Sequence, residues 1–465
     1  GIIGLPPNLF FGTGIPACII IIEKSEADSR KGVFMIDAKN GYIKDGAKNR
    51  LREQDIRRIV DAWKTHRDVP HFSRFVPMDE IKKNDYNLNI PRYVSAPDTE
   101  ILQDIDAHLY GGLPKHDIDQ LTTYWDVCPT LRSELFCEHL TRKGYFTLNC
   151  NRDAVRDIVS DNTDFKKQNE VFNKSFTDWS NKHRDLFYSL VQGFAPKELV
   201  DKLGNSLLEI FSSDKSLVDA YDVYDCLMNY WSETMQDDCY MISSGGWEAQ
   251  LYTPQPSSKK KDDKNTKEKK AATPDDVMCD LLPVNIVIEE YFADKRELIT
   301  AAEERLAQNE AQLAELIEEH SENYLDEDNF PDSKMSDSNI KKRIKELDNK
   351  NDAEEILVLK KYLNIKGDIS LVKKLIKELK YNLLSALMVK YADLSEDDIK
   401  RLVIEKKWLA SLAVRLDGEM QRISQELTSK VTELAERYAQ TLTEIDAEIA
   451  DLEAKVSQHL KQMGY

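Results

Sequence analysis

Apolar positions change their spacing three times along this chain. Over residues 1–47 they come in runs: residues 15–22 are almost unbroken isoleucine around Ala17 and Cys18, and residues 32–38 read GVFMIDA. Runs of this length suit strands covered on both faces. The polar residues 23–31 between them read as a turn, so the pair predicts a β-hairpin. Two strands do not make a stable sheet alone. The hairpin is therefore expected to complete a larger sheet whose other strands precede residue 1 in a longer parent chain.

Residues 50–65 change to helical spacing, with Ile56, Ile59, Val60 and Trp63 at i, i+3, i+4 and i+7 as the expected buried stripe. Pro70, Pro77, Pro91 and Pro97 then cut the chain into short extended pieces. Residues 99–256 predict an α-rich middle domain containing Trp125, Trp179, Trp231 and Trp247. Residues 257–270, SSKKKDDKNTKEKK, hold no apolar side chain. They cannot offset ordering entropy by burial, and 257–278 is expected to be a charged linker.

Residues 279–465 form the third region, and helices are expected at 284–323, 337–364, 369–391, 395–406 and 407–462. The last carries apolar or aromatic residues at Leu416, Met420, Ile423, Leu427, Val431, Leu434, Tyr438, Leu442, Ile445, Ile449, Leu452, Val456 and Leu460. Twelve steps cover 44 residues, about 3.67 per step, so one nearly straight helix on the order of 80 Å long is expected. Tyr291, Leu298, Leu306, Leu313 and Ile317 give a matching stripe on the first helix. The simplest arrangement folds these two into an antiparallel coiled-coil arm. Leu427, Val431, Leu434, Tyr438, Leu442, Ile445, Ile449 and Leu452 are the expected face for a partner helix. The alternative is closure of that seam within the chain.

The fold class is thus α+β overall, mainly α. The 465 residues are 41% hydrophobic, which supports a sizeable core, and 32% charged. A formal charge of −19 argues against an intrinsic nucleic-acid surface beyond a local patch. The cysteines Cys18, Cys128, Cys137, Cys150, Cys226, Cys239 and Cys279 have neither C-x-x-C nor zinc-ligand spacing. They fit reduced thiols in a cytoplasmic protein. No apolar run is long enough for a membrane span.

Candidate chemistry is sparse. Gly12-Thr13-Gly14 reads as a tight turn rather than a phosphate loop. His66, His71, His108, His116 and His139 do not cluster with Ser or Cys, and Asp85 and Asp126 have no visible partner acid. Arg50, Arg57 and Lys64 recur every seven residues opposite the apolar stripe, and residues 48–74 hold eight Lys/Arg against four Asp/Glu. This row offers a contact edge for a DNA backbone, or a solvated helix face.

Two stretches carry a family resemblance. Residues 1–24, GIIGLPPNLFFGTGIPACIIIIEK, and 84–94, NDYNLNIPRYV, closely resemble segments of the modification (M) subunit of Type I restriction–modification systems, a DNA adenine methyltransferase. KNRLR at 48–52 also matches. AHLYGGLP at 107–114, YWDVCP at 124–129, YWSETMQDD at 230–238 and the closing QMGY resemble the longer-chain variant. The resemblance implies that residues 1–98 are the late part of a Rossmann-like methyltransferase domain. It implies transfer of a methyl group from S-adenosylmethionine to the exocyclic amino nitrogen of adenine. It also implies assembly with a specificity subunit, a second M subunit and a restriction subunit, DNA being met through the complex. That chemistry needs an Asn/Asp-Pro-Pro-aromatic loop and a Gly-rich cofactor turn. Leu5-Pro6-Pro7-Asn8 has the wrong order for the first. Catalytic and cofactor residues are therefore expected upstream, and none is nominated here. The competing reading is a non-catalytic helical interaction protein.

Overall fold

The computed structural model describes all residues except 26, 96–102, 213–215, 255–272, 322, 327–329, 331–334, 349–351 and 464–465. The charged stretch 257–270, the expected boundaries near 98 and 256, and the last two residues therefore lie outside the described residues. Contacts divide the chain into two compact units that interleave along it. The first is Gly1–Ser189, Ala195–Cys239 and Ala410–Tyr465; the second is Leu190–Phe194 and Tyr240–Leu409.

The first unit opens on a four-stranded sheet of β1 (Ile2–Gly4), β2 (Cys18–Ile20), β3 (Gly32–Asp37) and β6 (Ser73–Pro77), in the order β2-β1-β3-β6. A small hairpin of β4 (Ile43–Asp45) and β5 (Lys48–Arg50) lies between β3 and β6 in sequence. The expected β2–β3 hairpin does not form. The short strand β1 inserts between the two, antiparallel to β2 and parallel to β3. The isoleucine run is not covered either: Ile15, Ile20 and Ile22 are 72%, 64% and 81% exposed. Burial falls on β3 instead, where Met35 and Ile36 are inaccessible to solvent. Its side chains alternate between faces. Met35 joins Ile2, Val76, Ile81, Ile90, Tyr93 and Val94 on one face, and Phe34 and Ile36 join Ile3, Leu5, Ile59 and Ala62 on the other. Gly32 is required by close approach, since a Cβ there would lie 2.2 Å from the Val76 carbonyl oxygen.

Helix α1 (Glu53–Thr65) covers the second face, and α2 (Met78–Lys83) with residues 84–94 covers the first. The helix starts three residues later than expected, because Asp55 accepts the Arg52 backbone N–H (2.9 Å) and ends the preceding strand. Of its expected stripe Ile59 is buried and Trp63 half-buried, while Ile56 and Val60 are exposed. After these come α3 (Ile105–Tyr110), β7 (Leu113–Pro114), α4 (Lys115–Asp119), α5 (Thr122–Val127), α6 (Pro129–Leu135), β8 (Phe136–Glu138) and β9 (Tyr145–Leu148), the strands pairing as β7-β9-β8. Then follow α7 (Val155–Asp161), α8 (Thr163–Tyr188), α9 (Pro196–Phe211), α10 (Ala220–Tyr230), a π-turn at Trp231–Met235 and α11 (Gln236–Gly245). Asn162 caps α8, accepting from the Asp164 and Phe165 amides at 2.9 and 3.0 Å.

In the second unit α12 (Val284–Tyr291) and α13 (Ala293–His320) replace the single helix expected at 284–323. After α14 (Asp337–Glu346), α15 (Ala353–Asp393) runs unbroken through Gly367, joining what the pattern separates. The coiled-coil partner expected for α13 also differs. Helix α13 pairs with α15, antiparallel, with Lys373–Glu310 and Lys380–Glu303 ion pairs at 2.8 and 2.7 Å. Helix α16 (Glu396–Arg401) leads through a π-helical stretch, Leu402–Leu409, in which buried Lys407 donates to the carbonyls of Asp280 and Leu281.

The expected 80 Å helix is two helices, α17 (Ala410–Arg437) in the first unit and α18 (Leu442–Gln462). A capping box at Thr441 and Glu444 starts the second: the Thr441 hydroxyl accepts the Glu444 amide (3.2 Å), and Glu444 accepts the Thr441 amide (2.8 Å).

Two outcomes follow for stability. Met35→Ala should lower the unfolding free energy by about 2–5 kcal/mol, whereas Ile20→Ser should change it by less than about 0.5, both read by urea denaturation. His183 is buried, with Nδ1 2.9 Å from the Trp179 carbonyl oxygen. Burial lowers its pKa below the ordinary 6.5, against the raising effect of that carbonyl. The neutral ring's contribution is thus complete above pH 6.5 and declines as pH falls toward the lowered value. His183→Gln should flatten the urea midpoint between pH 5 and 7, with a slope change of at most about 1.4 kcal/mol per pH unit.

Candidate functional site

Parallel strands β1 and β3 end side by side, Gly4 opposite Asp37. The carboxyl edge of such a pair is where open α/β sheets place ligands. Two loops meet there. One leaves β1 as residues 5–17, closed at its base by Leu5 N–H to the Ala17 carbonyl (2.8 Å). The other leaves β3 and returns through the β4–β5 hairpin. Asn49 ties them together: its side-chain amide donates to the Pro7 carbonyl (2.7 Å), and its backbone N–H to that of Asn8 (3.0 Å). Asn8 holds a left-handed φ of 54°, a conformation Asn tolerates better than most residues.

This edge presents aromatic rings and charge. Phe11 is 92% exposed and Phe10 51%. The Lys48 ammonium is buried against the Phe11 ring, and among the described residues Nζ has no hydrogen-bond partner, so the ring face is what meets its charge. Asp37 is buried and ion-paired to Lys39 at 3.0 Å. Neither Lys48–Phe11 nor the Asn49 tie is marked by a spacing rule; the contact exists only once β1 and β3 are neighbours. The adjacent cavity of about 300 Å³ is lined by Asp68, His71, Arg74 and Tyr93 among others. Its polar groups are already engaged: Asp68 accepts the Phe75 amide (2.7 Å), Arg74 pairs with Glu80 (2.8 Å), and His71 Nδ1 meets the Ser95 carbonyl (3.0 Å). No cluster of metal-ligating side chains occurs among the described residues.

The basic row does not form one face. Arg50 lies in β5, 3.3 Å from Asp45. Arg57 donates to both Asp61 oxygens at 2.9 Å and to the Asn205 carbonyl oxygen at 2.8 Å, and stands over the Tyr224 ring. Lys64 is exposed in the last turn of α1. The polar side of α1 thus packs on α9 and α10, where Gln54 donates to Asp222 (2.8 Å). Burial pushes the Asp222 carboxyl pKa up, against the hydrogen bond from Gln54 and the charge of Arg422.

The expected partner-helix face divides at the helix break. Leu427, Val431, Leu434 and Tyr438 are buried within the first unit. Leu442, Ile449 and Leu452 are about half exposed (48%, 49% and 51%), Ile445 is half-buried, and α18 has no buried residue. Tyr438 donates to the buried Asp117 carboxylate at 2.8 Å. The pattern missed that contact, although Thr441-x-x-Glu444 is a readable helix-start signal.

Residues 1–101 match the family model for N-6 DNA Methylase. The chain is 37% identical over 116 residues to the Type I restriction enzyme MjaVIII methylase subunit of Methanocaldococcus jannaschii, covering 24% of this chain and 20% of the relative. It is 38% identical over 106 residues to the HindI methylase subunit of Haemophilus influenzae, covering 21% and 24%. A solved structure, the type I restriction-modification system methyltransferase subunit from Streptococcus thermophilus, is 39% identical over 21% of this chain and 20% of that one, with a TM-score of 0.20. The chain therefore spans only about a fifth to a quarter of the length of the curated relatives it matches. The resemblance to Type I methylase subunits read from residues 1–24 and 84–94 holds in the family model and the relatives alike.

The packing of Arg57 separates a structural from a phosphate-contacting role. Arg57→Ala should lower stability by about 1–3 kcal/mol, because it strips partners from the part-buried Asp61. Lys64→Ala should cost less than about 0.5 kcal/mol in the same urea titration.

Proposed function

We propose that this chain is part of the methylation subunit of a Type I restriction–modification complex, which transfers a methyl group from S-adenosylmethionine to the exocyclic amino nitrogen of adenine in DNA. The observation that carries this reading is the match of residues 1–101 to N-6 DNA Methylase. Those residues build the sheet whose carboxyl edge displays Phe10 and Phe11. Exposed rings suit stacking on an extruded base. We assign cofactor binding and the catalytic Asn/Asp-Pro-Pro-aromatic loop to residues upstream of this chain, and nominate no catalytic residue within it. On this reading the chain alone is inactive.

The partners follow the same assignment. A specificity subunit reads the DNA sequence, which accords with a net charge of −19 on this chain. Its helices would cover the stripe of Leu442, Ile445, Ile449 and Leu452. A second methylation subunit and a restriction subunit complete the assembly, in the cytoplasm. Among the described residues no helix is long and apolar enough to cross a membrane. Arg50 and Lys64 keep exposed heads and are the remaining backbone-contact candidates of the basic row. A second reading, a helical interaction protein without chemistry, draws on the same exposed stripe.

The test is methyl transfer from labelled S-adenosylmethionine to unmodified DNA. The intact subunit with its specificity partner should methylate adenine, and this chain should not. Phe11→Ala in the intact subunit should reduce transfer at least tenfold, about 1.4 kcal/mol, within the range for loss of one stacked base. An intact subunit that neither binds S-adenosylmethionine nor methylates DNA leaves the interaction-protein reading standing.

A further inference from the structure

The break between α17 and α18 falls at neither Pro nor Gly, and the sequence signal at it is the Thr441-x-x-Glu444 helix start. Kinks and breaks normally fall at Pro, at Gly or at an inserted turn. Here the joint is Tyr438, Ala439, Gln440 and Thr441, all compatible with a helix. The apolar seam also stays in phase through it: Leu434, Tyr438, Leu442 and Ile445 follow in steps of 4, 4 and 3. Locally, then, the apolar phase encodes one helix while the cap signal at Thr441 encodes a second start, and contacts elsewhere favour the division.

These contacts lie on one side of the joint. The Tyr438 hydroxyl donates to buried Asp117 at 2.8 Å and accepts the Asp104 amide at 3.2 Å. Its ring lies 4.8 Å from that of His108, and Arg437 stands 3.8 Å from the same Asp117. Thr441 then takes an extended ψ of 155° and forms the capping box with Glu444. On the far side no residue of α18 is buried. Its direction is therefore set by the joint and by its contact with α3, and the rest of its length is exposed.

We infer that residues 438–441 are a two-state joint: bent when Tyr438 is latched to Asp117 and Thr441 caps α18, and continuous when Thr441 turns helical. In the continuous state the exposed stripe of α18 becomes a straight extension of the buried seam of α17. Straightening exchanges two capping hydrogen bonds for helical backbone bonds across the joint. It needs no change in the phase of any apolar side chain. Whatever lies along α18 therefore sets the balance between the states. The inference does not rest on the methylation reading.

The experiment is a spin-label distance measurement on the full chain. Ser429 and Ser457, both exposed, are changed to Cys for labelling, and Cys18, Cys137 and Cys150 to Ser. A continuous helix places these positions about 42 Å apart at 1.5 Å per residue. The unmodified joint should give a main population at a shorter distance. Thr441→Ala with Tyr438→Phe, which removes cap and latch, should raise the population near that length at least fivefold. A single short distance in both proteins overturns the two-state joint. A single distance at the straight-helix length in the unmodified joint overturns the bent resting state.

Discussion

Covering strand β3 on both faces at once is the constraint on which the opening layer depends. Its side chains alternate, so Met35 needs one set of neighbours and Phe34 and Ile36 another. The first set comes from Ile81 in α2 and from Ile90, Tyr93 and Val94; the second comes from Ile59 and Ala62 in α1. Each neighbour is placed by a separate stretch of chain. The 84–94 segment, one of the two carriers of the family resemblance, thus has a definite physical task. Tyr93 is held in place by donating its hydroxyl to the Asn87 carbonyl at 2.5 Å, and Arg74 reaches its carbonyl from β6 at 3.2 Å. With β3 fixed, β1 is the parallel neighbour that completes its ladder, and the loops carrying Phe11 and Lys48 meet as a consequence.

Charge is handled mostly inside the molecule. The guanidinium groups of α1 that look free in the sequence have carboxylates beside them: Arg52 with Asp55, Arg57 with Asp61. Helix α15 likewise matches its lysines to acids on α13, one heptad apart. Exposed pairs of this kind contribute little individually. Their effect is to leave the acidic excess outside.

The helical seam shows how one pattern serves two ends. From Leu416 to Tyr438 it is packed inside the first unit; from Leu442 to Leu460 it faces outward. A repeat in sequence records that a helix has an apolar side. It does not record whether that side is covered within the chain.

Local patterns determined a good deal of this protein. They placed the helical stretches of the C-terminal region though not their breaks, the strand at 32–38, the helix ending near Thr65 and the mainly helical α+β character. They also carried the family resemblance, in residues 1–24 and 84–94. Local patterns left open which partner each apolar face meets, since spacing reports amphipathicity and not the identity of the covering surface. The isoleucines at 15–22 are as apolar as β3 but lie at the sheet edge, where only Ile21 packs against the core and Ile15, Ile20 and Ile22 stay exposed. Asp61 is an i,i+4 partner of Arg57 within α1, but Asn205 and Tyr224 reach Arg57 only after α1, α9 and α10 pack. The C-terminal helix reads as continuous because its phase is continuous, while the Tyr438–Asp117 contact beside its division joins residues more than three hundred apart in the chain. Only the tertiary structure brings such residues within hydrogen-bonding distance.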